Sequence, residues 1–213
     1  MVDRYDTAGN VEGQFQSGSD GKVLLNKLDI TDVVEMDDIE LDLLEQLYEA
    51  VFAEVEIDQT ITVVDIFEWH RKWLGKVYDW AGKERSVNLS KGDFHFAAAQ
   101  QIQYCLNELD KNYLSQQTPC HLIGDEQLLE RIAIVHVELV LIHPFREGNG
   151  RIARLLANVM ALQANKPELE FSSWDADRDN YFLAIQAGMG GDYEPMKKFV
   201  KQALHDAEKG VCE

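Results

Sequence analysis

One stretch of twelve residues gathers most of the groups that can do chemistry: His143-Pro144-Phe145-Arg146-Glu147-Gly148-Asn149-Gly150-Arg151-Ile152-Ala153-Arg154. An apolar helix stops at Pro144 and another begins at Asn149, so Gly148-Asn149-Gly150 turns backbone N–H groups inward at a helix start. Such a terminus carries the positive end of the helix dipole and suits phosphate. Arg151 and Arg154, three apart, share one face of the first turn and can fork onto further phosphate oxygens. Glu147 beside them would be repelled by a polyphosphate unless a divalent cation lay between; Mg²⁺, commonly held by one or two carboxylates plus phosphate oxygens, fits. His143 titrates near neutral pH and can take a proton from an incoming hydroxyl. Base, metal ligand, anion loop and arginines together describe phosphoryl or nucleotidyl transfer.

Other readings of the same residues are weaker. Gly148-Asn149-Gly150-Arg151-Ile152-Ala153 also fits G-x-G-x-x-A, but a dinucleotide fold needs repeated β-α units and glycines directly after a strand. Here His143 to Glu147 intervene and the surroundings read helical. No Gly-Lys-Ser/Thr follows, which excludes a P-loop. Taken singly, His143 is a helix cap and the two arginines partner surface acids; their concentration in one loop argues for the site.

The elements that must hold this loop are helices. Asp125 to Ile142 is apolar on nearly every face from Ile132 onward, which puts it at the centre of the domain. Asn149 to Asn165 spaces Ile152, Leu155, Leu156, Val159 and Met160 as a second core helix, ended at Asn165-Lys166-Pro167. Amphipathic helices are expected over Asp38–Val55, Val63–Lys76 and Ala97–Tyr113, with Trp69, Trp73 and Trp80 as large core pieces. A polar loop precedes a short helix over Asn180–Ala187. Asp192 as N-cap and Pro195 in the first turn open a last helix with Met196, Phe199, Val200, Ala203 and Leu204 inward. Ser86 to Ala97 alternates apolar and polar residues around Lys91-Gly92-Asp93, the signal of a β-hairpin. The fold class is therefore all-α, with one short hairpin.

Residues 1–22 scatter Gly9, Gly13, Gly18 and Gly21 among polar residues and read as a flexible N-terminal arm; residues 23–213 read as a single domain. The chain has 213 residues, 46% of them hydrophobic, and 20 Lys plus Arg against 38 Asp plus Glu, a formal net charge of −18. Such a surface repels phosphate backbones and anionic lipid, so neither nucleic acid nor membrane is an expected partner. No stretch reads as an export leader or a membrane span. Cys105, Cys120 and Cys212 are an odd set without C-x-x-C spacing, which fits a reducing compartment: a cytoplasm, or the cytosol of a host into which the protein is delivered.

His143 to Arg154 matches in full the signature H-P-F-x-[D/E]-G-N-G-R-x-x-R of the Fic family, and the chain resembles that family from about Leu25 to Leu204. The shared features include Tyr78-x-Trp80-Ala81-Gly82, the hairpin and Gly191-Asp192-Tyr193-Glu194-Pro195. The resemblance implies a Fic-type helical bundle that transfers AMP from ATP to a Ser, Thr or Tyr hydroxyl of a target protein, releasing pyrophosphate. It implies His143 as general base and Glu147 as ligand to Mg²⁺. Gly148, Asn149 and Gly150 would form the anion hole, with Arg151 on phosphate and on developing charge and Arg154 on the γ-phosphate. The hairpin from Ser86 to Ala97, with Ser90, Lys91, Gly92 and Asp93 at its tip, resembles the flap that pairs with the target's main chain. Tyr181 and Phe182 fall roughly where the family often packs aromatic residues on adenine; two core aromatics is the other reading of the pair. His136, seven residues before His143, reads as structural.

Family kinases carry Lys where this chain has Gly150, which favours adenylyl over phosphoryl transfer. Phosphocholine transfer, AMP removal and a nucleotide-binding regulatory module are the alternatives. Many relatives are restrained by [S/T]-x-x-x-E-[G/N], whose Glu pairs with the second motif arginine. Thr31-Asp32-Val33-Val34-Glu35 has that spacing, but Met36 follows it and no S/T-x-x-x-E occurs from Ser172 onward. The expectation is inhibition by a separate antitoxin-like partner, or none by this route.

Overall fold

A computed structural model describes residues 11–210. Helices α1 (Val33–Glu54), α2 (Val63–Leu74), α3 (Ile102–Glu108), α4 (Ser115–Gln117), α5 (Asp125–Ile142), α6 (Asn149–Gln163), α7 (Ser172–Ala176), α8 (Arg178–Ala187) and α9 (Glu194–Gly210) follow in that order. The strands β1 (Ser90–Lys91) and β2 (Phe94–His95) lie between α2 and α3 and pair antiparallel, Ser90 opposite His95 and Lys91 opposite Phe94. The helical fold with one hairpin agrees with the sequence expectation. Among the described residues no helix is long and apolar enough to cross a membrane.

The centre is α5, packed against α6 on one side and α9 on the other, while α1 and α2 pair and both reach α6. Ile132, Val135 and Leu139 of α5 and Ile152, Leu155 and Val159 of α6 are buried. Each such side chain contributes about 1.5–3 kcal/mol through removal from water. The sheath of helices thus fixes both flanks of the loop from His143 to Gly148.

Several boundaries differ from expectation for local reasons. Helix α1 starts five residues earlier than Asp38, because Asp32 caps it, its Oδ1 accepting the Glu35 N–H at 3.0 Å. Thr62 and Asp65 form a capping box that starts α2, and the Asp110 carboxylate accepts the neighbouring Val63 N–H at 2.8 Å. Asp110 lies in a π-helical stretch, Leu109–Leu114, that joins α3 to α4. The polar loop after α6 contains α7, whose one large apolar residue, Trp174, is fully buried.

Part of the proposed arm is folded. Residues 1–10 lie outside the described residues, but from Val11 onward the chain turns back on itself. Gln16 N–H donates to Val23 O at 2.8 Å, Leu25 N–H donates to Gln14 O at 2.9 Å, and Val23 is buried. Gly18 and Gly21 make the turn at positive φ, and the Asn26 side chain bonds both main-chain groups of Ile30. These polar contacts leave no apolar period in the sequence, which is why the segment reads as loose.

Candidate active site

Helix α5 ends at His143, whose left-handed backbone (φ +53°) closes the helix with its N–H on Leu139 O at 3.0 Å. The loop is then tied from inside. Asn149 Oδ1 accepts the Phe145 N–H and its Nδ2 donates to Phe145 O, both at 2.8 Å. Buried Phe145 stacks on His70 with ring centroids 3.8 Å apart. His70 Nδ1 accepts the Gly82 N–H at 2.8 Å, so its Nε2 carries the proton and donates to Glu147 O at 3.1 Å. Burial pushes His70 down to about 4, keeping the ring neutral.

Gly148 sits at φ +84°, and a Cβ there would lie 2.6 Å from the Trp73 ring, so glycine is required. At Gly150 a Cβ would meet nothing within 4 Å. The first turn of α6, a helix of 15 residues, carries N–H groups without an intrahelical partner, and Gly150 within it is exposed. The side chain of Asn149 is spent on the loop, so its part in an anion hole falls to its main-chain N–H.

His143 Nδ1 lies 3.2 Å from Val140 O. That contact assigns the proton to Nδ1 and leaves Nε2 as the acceptor. Phe96 covers one ring face, centroids 3.8 Å apart. Burial, reinforced by Arg85 and Lys91, pushes His143 down to about 4, so at neutral pH it is an unprotonated base.

Arg85, which the sequence reading did not single out, is buried and spends its guanidinium entirely on carbonyls. Nε donates to His143 O at 2.7 Å, Nη1 to Val87 O at 2.5 Å, and Nη2 to Ala97 O at 2.6 Å and Ile142 O at 3.3 Å. Val87 and Ala97 stand at the two ends of the hairpin, so one side chain ties both its ends to the residue carrying the base. Burial lowers Arg85 to about 10, against a nearby Glu12 that holds it up.

The two motif arginines have acidic partners. Arg151 Nη1 reaches Glu40 Oε2 at 2.8 Å, while its guanidinium lies 4.5 Å from the Trp73 ring centroid and 3.8 Å from Glu147. Glu40 is itself buried, accepting the Tyr78 hydroxyl at 2.8 Å. Arg154 pairs bidentately with Asp175 of α7 at 2.8 and 3.0 Å. Glu35 is exposed in the first turn of α1, and Asp175, not Glu35, is the carboxylate on Arg154. The side chain of Glu147 is half exposed; its Oε1 accepts the Gly148 N–H at 3.1 Å, and the carboxylate keeps oxygen capacity for a cation. Among the described residues no group of three His, Cys, Asp or Glu could hold a metal alone.

The hairpin tip, Ser90 to Asp93, turns at Gly92 (φ +59°), and Lys91 Nζ lies 4.4 Å from the Phe182 ring centroid. Phe94 and Phe96 also meet Phe182 edge to face. Phe182 thus holds the flap rather than standing apart from it. Tyr181 is taken up by the core: its hydroxyl donates to His136 Nε2 at 2.8 Å and its ring stacks on Trp174. His136 Nδ1 in turn contacts Ala153 O at 3.3 Å, a structural tie between α5 and α6.

Glu40, His70, Arg85 and Asp175 were missed because each is defined by a contact across the fold. Nothing in their local spacing marks them.

Comparison with known proteins adds an independent line. The Fic/DOC family model matches residues 60–161. "Protein adenylyltransferase Fic" of Nematostella vectensis is 32% identical over 150 residues, covering 68% of this chain and 33% of the relative. "Probable protein adenylyltransferase Fic" of Salmonella typhimurium is 28% identical, over 66% of this chain and 68% of the relative. The chain spans about a quarter to a third of the length of the animal relatives it matches. Among solved structures, BepC of Bartonella tribocorum with bound AMPPNP has the same fold, with a TM-score of 0.66 at 22% identity over 84% of this chain and 91% of that one.

Proposed function

We propose, from the membership of residues 60–161 in the Fic/DOC family, that this chain is a protein adenylyltransferase. It moves AMP from ATP onto a Ser, Thr or Tyr hydroxyl of a target protein. The observation that carries the reading is His143: a neutral imidazole, its Nδ1 proton engaged by Val140 O, offers Nε2 as base. It stands one loop away from an open helix N-terminus and two arginines. The relatives named protein adenylyltransferase support the same chemistry.

In the reaction, the target oxygen attacks the α-phosphorus of ATP, forming the O–P bond, while the bond from the α-phosphorus to the bridging oxygen breaks and pyrophosphate leaves. His143 Nε2 takes the hydroxyl proton. The N–H groups at the start of α6 receive charge developing on phosphate oxygens, and Arg151 and Arg154 hold the rest of the triphosphate. Glu40 and Tyr78 fix Arg151 from behind.

The open space at Gly150 fits a phosphate against the backbone, as adenylyl transfer needs. One exposed carboxylate, Glu147, fits Mg²⁺ that takes its remaining ligands from phosphate and water; when bound, Mg²⁺ neutralises charge on the leaving phosphates. The flap, anchored by Arg85, aligns the target's main chain.

The free thiols Cys105 and Cys120 support a reducing cytosol, the cell's own or a host's. Control by a small inhibitor protein acting in trans completes the proposal, since Asp175, and not Glu35, is the carboxylate on Arg154. The test is mass spectrometry of a lysate incubated with the protein, ATP and Mg²⁺. Peptides carrying AMP are expected with wild type and not with His143→Ala; peptides carrying phosphate alone would contradict the reading.

A further inference from the structure

Beside the flap, on the side of the last turn of α5, lies a cleft of about 420 Å³. Phe94 and Phe96 of the hairpin form one wall; Tyr104 and Glu108 of α3, Tyr113, and Glu138 of α5 form the others. Three features of this lining point to one chemistry. Phe94, Phe96, Tyr104 and Tyr113 put four aromatic rings in its walls, and ring faces attract cations. Its lining holds two carboxylates and no Lys or Arg, with His95 as its one basic side chain. The Glu138 carboxylate is half-buried, with the Tyr193 hydroxyl donating at 2.6 Å, and burial raises its pKa, so a cation brought alongside relieves an electrostatic cost. Glu108 takes the Asn112 amide at 2.7 Å and keeps oxygen capacity for a second donor.

The cleft is continuous with the reaction centre. Phe96 in its wall is the residue stacked on His143, and Leu141 and Ile142 in its floor lead directly to the base. An extended segment laid along the hairpin points every second side chain to one face, with such neighbours about 7 Å apart. If one of them delivers its hydroxyl to His143, the next on that face reaches the cleft.

We propose that the cleft is a specificity subsite for a lysine or arginine side chain of the target, two residues from the acceptor hydroxyl. The aliphatic stem lies along Phe94, Phe96 and Tyr104, and the cationic head lies between Glu108 and Glu138. The chain's net charge of −18 favours the approach of a basic target. This inference rests on the adenylyltransferase reading for the identity of its occupant.

The test separates the two. An oriented array of immobilised peptides, each with a central Ser, Thr or Tyr and randomised flanks, is probed without ATP by His143→Ala protein, and separately labelled with α-labelled ATP and Mg²⁺ by protein with His143 intact. Lys and Arg should be enriched at least fivefold two residues from the centre in both readouts. Enrichment should vanish when Glu108→Gln and Glu138→Gln are combined, while autolabelling is unchanged. Glu108→Gln alone, on a part-exposed residue, should reduce it and guards against misfolding of the double variant. No enrichment, or enrichment that the glutamine variants leave intact, overturns the subsite. Enriched binding with no label on any peptide or protein overturns the transferase reading and leaves the subsite standing.

Discussion

Phe96 lies face to face with the imidazole of His143, ring centroids 3.8 Å apart and planes 17° from parallel. The flap and the base are therefore one packed unit. Phe96 keeps water from one ring face, and the neutral ring that results is suited to accept a proton. Phe182 backs the flap from the other side, so the three aromatic rings Phe94, Phe96 and Phe182 hold the hairpin over the centre.

Because burial lowers His143 to about 4, the free enzyme's kcat/KM should stay level as pH falls from 8 to about 5.5. An ordinary imidazole, near 6.5, would already be losing activity there. A pH–rate profile with its acid limb at 6.5 would show that His143 is more hydrated than this structure has it.

Stability should follow the same groups. His70, His136 and His143 are each lowered to about 4 by burial. Between pH 6.5 and 4 the unfolded chain binds protons that the folded chain refuses, so stability falls as pH falls through that window and levels off below it. The slope is about 1.4 kcal/mol per pH unit for each histidine. Melting temperatures measured from pH 7.5 to 4.5 should drop steeply below 6.5, and more gently in His136→Gln.

Arg85→Lys keeps the charge but cannot serve four carbonyls in two directions. It should raise hydrogen exchange across residues 87–97 and cut transfer to a target by about 100-fold, as misplacement of a reacting group does. ATP binding should change less than about twofold, since Arg85 lies outside the first turn of α6. Parallel loss of ATP binding and transfer would assign Arg85 to general stability instead.

Asp175 occupies the arginine that the γ-phosphate would use. Asp175→Asn should free Arg154 and tighten binding of ATP about fivefold, the equivalent of about 1 kcal/mol for a partly exposed pair. Affinity for AMP, which lacks that phosphate, should not move. Calorimetry with the two nucleotides separates this from a general gain in affinity.

Gly148 and Gly150 should part company. Gly148→Ala meets both a positive φ and the Trp73 ring, and should destabilise by more than about 2 kcal/mol. Gly150→Ala has room and lies in a helix, so it should leave the melting temperature equal or higher. Its methyl group would stand where phosphate meets the backbone, so nucleotide affinity should fall.

Much of this organisation was legible in the sequence, and the division has a physical reason. The core helices α5 and α6 and the loop between them announce themselves by periodicity and by a dense local motif, and they lie where the spacing puts them. Helix α7 did not, because five residues around one tryptophan give no period. Glu40 and Arg85 stand 111 and 58 residues from the groups they hold, so only the folded chain brings them to the motif. Tyr181 shows the converse: an aromatic residue at the right distance from the motif is spent on Trp174 and His136.

The central claim is that His143 drives transfer of the adenylyl group. It is tested most directly by giving purified protein and a lysate ATP labelled at the α position in one tube and at the γ position in another, for wild type and His143→Ala. Label on protein from the α position alone, lost by a factor of at least about 100 in the variant, is the predicted result. Label from the γ position, or α label that survives without His143, would contradict it.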